Sequence, residues 1–387
     1  MFLHQTHLPH VLGPELYSCP TQYEQEMGCL FRPGWHVVAG FEELARDGDF
    51  VTRDLFGTPL LLRNSGGEVH AFLNVCTHRH CMLTHAARGN QPKLRCQYHG
   101  WEYCDDGSTA RIPDARSFRP MPGGPERLRK FSVHVRGPLV FVSLAENPPP
   151  IEDLFGPLAE PCDEYPAERW KLADAWEYRF NTNWKLPVEN TIESYHVPFV
   201  HPMSLVNYGA EEAMIHEIHP AAAIMRTPTV TPWFYRLLSR WVLPRLDSAC
   251  TVDHYRLFHG FPNLFLIRID AMLQVMVVFP ESPTTCRMTV RVYGLRAARE
   301  TWYSRWLTWS WGHLKARIVR WVLSEDARLY PDLQRGMENS PFAGTISMRE
   351  ELVFAFQDYV RRGCGLPIEN SISPSTAEIL PASEAVT

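Results

Sequence analysis

The chain has 387 residues, with 38 Lys and Arg against 43 Asp and Glu, a formal net charge of −5, and 45% hydrophobic and 21% charged residues. That balance supplies apolar material for two domains with separate cores and leaves no basic footprint for a nucleic-acid partner. Residues Met1 to His7 lack the basic start and continuous apolar stretch of a secretory signal, and the ten cysteines are scattered through a long chain, so a reducing cytoplasm is the expected compartment.

Residues 36–146 read as an all-β module. Apolar or alternating runs at Pro59–Arg63, Val69–Leu73 and Leu139–Ser143 are separated by turn chemistry at Ser65–Gly67 and Asp105–Gly107. Gly66 and Gly67 mark a hairpin and not a nucleotide loop. The module carries two short hooks, Cys76 with His78 and Cys96 with His99, and seventeen residues separate one hook from the other. Zinc accepts two Cys and two His, but its fingers pair like with like at short range, whereas each hook here mixes them. A [2Fe-2S] centre of the Rieske kind requires that mixture, because two thiolates hold one iron and two neutral imidazoles the other. His80 and Cys81 are read as packing around this centre and tuning it by hydrogen bonds, and Tyr98 and Trp101 as its shield from water.

The run Glu146–Pro150 closes the module as a stiff linker. Beyond it, Tyr255–Phe258, Val275–Phe279 and Thr289–Tyr293 read as strands, and Trp302–Leu323 and Arg349–Val360 as helices. The Ser-, Pro- and Ala-rich tail from Ile372 is expected to fray. His196 and His201 stand out in this half. The segment up to His196 is compatible with a helix, and the Val197-Pro198 step and Pro202 imply a bend that re-aims the second imidazole. A mononuclear Fe(II) oxygenase needs two imidazoles and a carboxylate on one face of the metal; taken alone, two histidines five residues apart fit a core or surface pair better. Trp302, Trp306 and Trp309 recur at helical spacing, with Trp311 and Trp321 nearby, and Phe234–Leu246 is another apolar run, broken by Arg236, Arg240 and Arg245. The charges exclude a membrane span. Burial against the domain core is expected of these helices, with an interfacial or lid helix as the alternative. His216 and His219 are read as surface or satisfied core histidines. The chain has no Gly-rich dinucleotide fingerprint and no plausible flavin site, so electrons must come from a separate reductase.

The stretches Phe31–His36, Gly48–Arg53, Asn74–Arg79 and Cys96–Tyr103 closely resemble the Rieske domain of ring-hydroxylating oxygenase α subunits. The string Asn183–Pro202 resembles the iron-binding stretch of the same family, and Ser324–Gly336 resembles its late helical ligand stretch more loosely, with Asp326 followed eight residues on by Gln334. The resemblance implies an α+β chain in four parts. Residues 1–35 form an N-terminal segment packed on the catalytic domain, 36–146 the Rieske domain, 147–370 a catalytic domain with an antiparallel sheet flanked by helices (helix-grip, START-like), and 371–387 a flexible tail. It makes Cys76, His78, Cys96 and His99 the cluster ligands, His196 and His201 iron ligands, and Asn190 a polar neighbour of the metal. Glu193 becomes the carboxylate that links His99 to His196, usually across a subunit boundary. Many relatives have Asp there, so Glu193 adds a methylene. Asp326 is the expected third iron ligand, with Glu325 and Asp332 as competitors.

The function so implied is that of a terminal oxygenase. Electrons pass from NAD(P)H through a reductase, with or without a ferredoxin, to the Rieske cluster and on to Fe(II), where O2 is activated to hydroxylate a hydrophobic or aromatic small molecule. Dihydroxylation, demethylation, ring closure and amine oxidation are alternatives at the same iron. A homotrimer is expected, which would close the gap between the metals. An electron carrier without oxygenase activity and a zinc-stabilised binding protein are the competing classes.

Overall fold

A computed structural model describes residues 2–205, 213–229, 232–252 and 254–367. The expected flexible tail, 371–387, lies outside the described residues. Alternating strands build the first half. A seven-stranded antiparallel sheet runs in the spatial order Trp35–Gly40, Leu139–Ser143, Lys130–Arg136, Glu68–Leu73, Thr58–Ser65, Asp49–Leu55, Arg88–Asn90. Gly66 and Gly67 join two of these strands with φ of +60° and +91°, the pair of left-handed residues that a tight hairpin matching strand twist demands. A three-stranded sheet of Leu94–Arg95, Glu102–Tyr103 and Thr109–Arg111 brackets the second hook.

The N-terminal segment contains α1 (Pro20–Glu26), and its Leu8–Pro9 strand pairs with Thr345–Ile346. After the prolines comes α2 (Ile151–Asp163). The second sheet, also antiparallel and seven-stranded, has the order Trp170–Phe180, Thr285–Leu295, Met272–Ser282, Leu264–Ile269, His254–Gly260, Ala222–Pro228, Ile215–His219. Between its first strands in sequence lie α3 (Lys185–Thr191) and α4 (Val197–Val200). Then follow α5 (Trp233–Leu246), α6 (Trp302–Asp326), α7 (Tyr330–Asn339) and α8 (Glu351–Gly363).

The sheet wraps the long helix α6. Gly312 lets them approach: a Cβ there would stand 2.7 Å from that of Ala173. The other sequence-expected helix starts later, at Glu351, after a 3-10 turn at Met348–Glu350. One apolar core joins the halves, with Val140 and Phe141 in the same cluster as Phe155, Leu158, Phe258 and Leu264. Arg291 adds ion pairs to Glu42, at 3.0 Å, and to Glu43.

Three sequence readings are corrected. The helix before His196 ends at Thr191, and Pro198 sits in the first turn of α4, where a missing N–H costs nothing, so that proline starts a helix. Trp302, Trp306, Trp309 and Trp321 are exposed, and among the helix's tryptophans Trp311 alone is buried. Leu307, Ala316, Val319 and Leu323 already fill the inward face, so the aromatics on the opposite face point outward. Tyr98 is also exposed, leaving Trp101 to cover the first hook. No helix among the described residues is long and apolar enough to cross a membrane.

Candidate functional site

The two hooks are built alike. In each, the cysteine N–H donates to the carbonyl five residues on, Cys76 to Cys81 and Cys96 to Trp101, both at 2.8 Å. In each, the carbonyl of the cysteine accepts from the residue four further on, His80 or Gly100, both at 3.1 Å. That residue is left-handed in both turns, with φ +59° at His80 and +72° at Gly100. His80 is therefore a side chain where the geometry favours glycine.

The turns bury both thiols as free cysteines and bring the His78 and His99 rings to 4.7 Å between centroids. Trp101 stacks on His78 at 4.9 Å and 3°. Burial, with His99 and Arg79 close by, lowers the pKa of His78 and favours its neutral imidazole. Its Nδ1 is buried without a hydrogen-bond partner. An orphaned imidazole nitrogen beside two buried thiols fits the four-ligand set of a [2Fe-2S] cluster. Sequence reasoning missed the role of Tyr103. Burial, then Cys76, pushes its phenol up, so it stays protonated with its oxygen 3.0 Å from the Cys76 sulfur. His99 is exposed, and its ring neighbours Tyr98 and His78 both belong to its own domain.

The second site hangs on α3, which the N-terminal segment fixes. Lys185 donates to Glu26 at 2.7 Å and to the Leu16 carbonyl at 3.1 Å, and Trp184 donates to Glu26 at 2.7 Å. Glu189 is buried and accepts from Tyr17 at 2.5 Å; burial raises its pKa. This helix presents Asn190, whose oxygen accepts from the Tyr330 hydroxyl at 3.1 Å. The loop after it and α4 place His196 and His201, with ring centroids 5.2 Å apart. The last residue of α6 is Asp326, and His196, His201 and Asp326 hold one ligand atom each within 4.8 Å of one another. Glu325 and Asp332 do not join them: Asp332 is an exposed residue of α7.

Asp326 Oδ1 lies 2.9 Å from His201 Nε2 and 3.6 Å from His196 Nε2, yet it is buried without a hydrogen bond of acceptable angle. The three groups converge on a common space. A buried carboxylate left in that state is costly unless a cation sits there, and two nitrogens with one oxygen suit Fe(II). The outer nitrogens are both answered by carboxylates. His196 Nδ1 bonds Glu193 and His201 Nδ1 bonds Glu325 at 2.8 Å. Each carboxylate fixes a tautomer whose Nε2 faces inward. Glu325 also accepts from Ser204; burial opposes its charge, but Ser204 and His201 outweigh that and hold its pKa down.

Asn190, Glu193, His196, His201 and Asp326 open on a cavity of about 420 Å³. Its walls include Met225, Ile267, Ile269, Met272 and Met276, with Asp270 and Lys315 also among the lining residues. Asp270 is neutralised in place: Lys315 Nζ stands 2.5 Å away, and Tyr235 and Trp311 donate at 2.7 and 3.0 Å.

Residues 34–131 match the Rieske [2Fe-2S] domain and residues 167–365 the catalytic domain of the ring-hydroxylating α subunit. The chain is 35% identical over 193 residues to the glycine betaine monooxygenase oxygenase subunit of Pseudomonas aeruginosa strain UCBPP-PA14, covering 49% of this chain and 44% of that protein. It is 25% identical over 325 residues to the anthranilate 1,2-dioxygenase large subunit of Burkholderia cepacia, covering 74% and 76%. The chain thus spans about half the length of the glycine betaine oxygenase subunits it matches, at 44% and 47%. A crystal structure of a quaternary ammonium Rieske monooxygenase superposes with a TM-score of 0.74 at 21% identity, over 91% of this chain and 95% of that one, and shares its fold. With residues 167–365, more than half of the chain, matched to the α-subunit catalytic domain behind a Rieske domain, the chain belongs to the ring-hydroxylating oxygenase α subunits.

Proposed function

We propose that this chain is the terminal component of an oxygenase that hydroxylates a hydrophobic or aromatic small molecule, with electrons from NAD(P)H through a separate reductase. When bound, the cluster supplies electrons singly and the iron supplies O2 activation. Cys76, His78, Cys96 and His99 hold the first; His196, His201 and Asp326 hold the second. Glu193 and Glu325 keep the two imidazoles oriented, and Asn190 lines the cavity beside them. The observation that carries this reading is the convergence of three ligand atoms at the wall of a largely apolar cavity. An electron carrier has no use for either feature.

The exposure of His99 supports a homotrimer in which His99 of one copy meets Glu193 of the next, since neither ring recorded beside it comes from the catalytic half. Amine oxidation is the second reading. Relatives are named for glycine betaine and choline, and the cavity lining includes the aromatic residues Tyr235, Tyr255 and Trp321, a residue type that attracts cations. The apolar reading is preferred because Asp270, the cavity carboxylate away from the metal ligands, already has its own cation in Lys315.

The test is anaerobic purification with iron and sulfide analysis, then turnover with a reductase on apolar aromatics and on quaternary amines. Three irons and two sulfides per chain, as the ligand sets require, with oxygenated aromatic product, is the expected result. Zinc in place of iron, or product from the amines alone, would overturn it.

A further inference from the structure

The outward aromatics of α5 and α6 form one surface. The Trp241 ring lies 6.0 Å from Tyr303, which lies 5.8 Å from Trp302 and 6.2 Å from Trp306, so the apolar face runs unbroken from one helix to the other. Trp302 is 82% exposed and Trp233 78%. Short of the last turn of α6, where Glu325 and Asp326 turn to the metal site, the charge on these helices is one-sided. Residues 233–246 and 302–324 contain Arg236, Arg240, Arg245, Arg305, Arg317 and Arg320 and, buried against Asp270, Lys315, but no Asp or Glu, in a chain whose net charge is −5. Arg305 and Arg320 are answered by Glu300 and Asp174. Arg240, Arg245 and Arg317 are exposed, and the Arg245 guanidinium lies over the Trp241 ring at 4.8 Å.

We propose that this α5–α6 face docks on the surface of an anionic phospholipid bilayer. Tryptophan seats at the level of the headgroups, leucine and phenylalanine reach the acyl boundary, and arginine stems lie along apolar surface while their heads meet lipid phosphates. Aromatics with arginine also suit a protein interface; what favours an anionic bilayer is that Arg240, Arg245 and Arg317 are exposed and no Asp or Glu stands among residues 233–246 and 302–324. The cavity opens on the same face, because Phe234 and Trp321 both line it and are exposed. A lipophilic molecule can therefore pass from the bilayer to the site without crossing water; that step rests on the oxygenase reading, while the docking does not.

The full chain with its metals is mixed with vesicles of phosphatidylcholine plus phosphatidylglycerol, or of phosphatidylcholine alone, at low and high salt, and the bound fraction is read by flotation. Binding to the anionic vesicles that weakens with salt is expected. The double variant Arg240→Glu/Arg317→Glu is expected to lose about tenfold or more in partition, as is Trp302→Ser/Trp309→Ser, both with unchanged circular dichroism and iron content. Protein left unbound by every vesicle, or binding indifferent to lipid charge, overturns the proposal. So does a concentration-dependent oligomer that shields these tryptophans from a soluble quencher, since it assigns the face to a second copy. Flotation reads no turnover, so failure of docking and failure of the oxygenase reading are separable.

Discussion

Replacing Glu325 with alanine removes the acceptor at His201 Nδ1, 2.8 Å away, and the partner of Ser204. His201 is 2% exposed, so water has little access to the vacated place. Leaving one buried donor of a charge-assisted bond unanswered costs about 1.5–3 kcal/mol, and each 1.4 kcal/mol is about tenfold in an equilibrium constant. The Fe(II) dissociation constant should therefore rise about 10- to 100-fold, the usual range for losing an outer carboxylate behind a metal-bound histidine. Chelator competition on anaerobic protein measures this, with the Rieske EPR signal as an internal control that must not change. Glu325→Gln, which keeps a neutral acceptor, should lose less. Asp326→Ala removes a ligand atom and should empty the site. If Glu325→Ala emptied it and Asp326→Ala did not, the two acids would have to exchange roles; if iron affinity did not move, the bond to His201 would not be holding that ring.

At saturating Fe(II), Glu193→Ala should leave both metals bound and the cluster reducible while turnover falls by at least about 10- to 100-fold; full activity would refute its part between His99 and His196. Tyr103→Phe takes a hydrogen bond from the Cys76 sulfur and should lower the cluster potential by tens of millivolts in a redox titration; an unchanged potential would show that the bond does not reach the cluster. His80→Gly relieves a left-handed side chain and should stabilise the Rieske domain by about 1 kcal/mol in denaturant unfolding; destabilisation would mean that the imidazole makes a contact worth more than the strain. Burial opposes the charge on Glu351, but the N–H groups of Leu3 and His4 and the rings of His4 and His216 outweigh it and depress its pKa. A depressed carboxylate contributes stability above its unfolded pKa of about 4.3 and loses it as pH falls through the lower folded value. The N-terminal segment should thus detach in acid, seen as new proteolysis near Leu3, and Glu351→Gln should release it at neutral pH; a Glu351→Gln segment that stays protected would refute the anchor.

The cluster hooks were legible because each is local. Cys76 to Cys81 and Cys96 to Trp101 close their own turns by backbone bonds, so ligand type and spacing in the chain carry the geometry with them. His196 and His201 were visible for the same reason, since one short helix sets both. What the sequence by itself determined, then, was the chemistry within a turn or two: which atoms can bind metal and at what short spacing. Only the tertiary structure decided that Asp326, more than a hundred residues beyond His201, brings its oxygen to 2.9 Å from that ring and that its neighbour Glu325 turns to His201 Nδ1. Adjacent residues on a helix point about 100° apart, and which of two acids faces the site depends on how the sheet grips α6 at Gly312. The same rotation decided the tryptophans. Helix α6 is apolar on more than one face, so periodicity could not say which face the sheet would take, and the packing of Leu307, Trp311, Val319 and Leu323 against it left Trp302, Trp306, Trp309 and Trp321 in solvent.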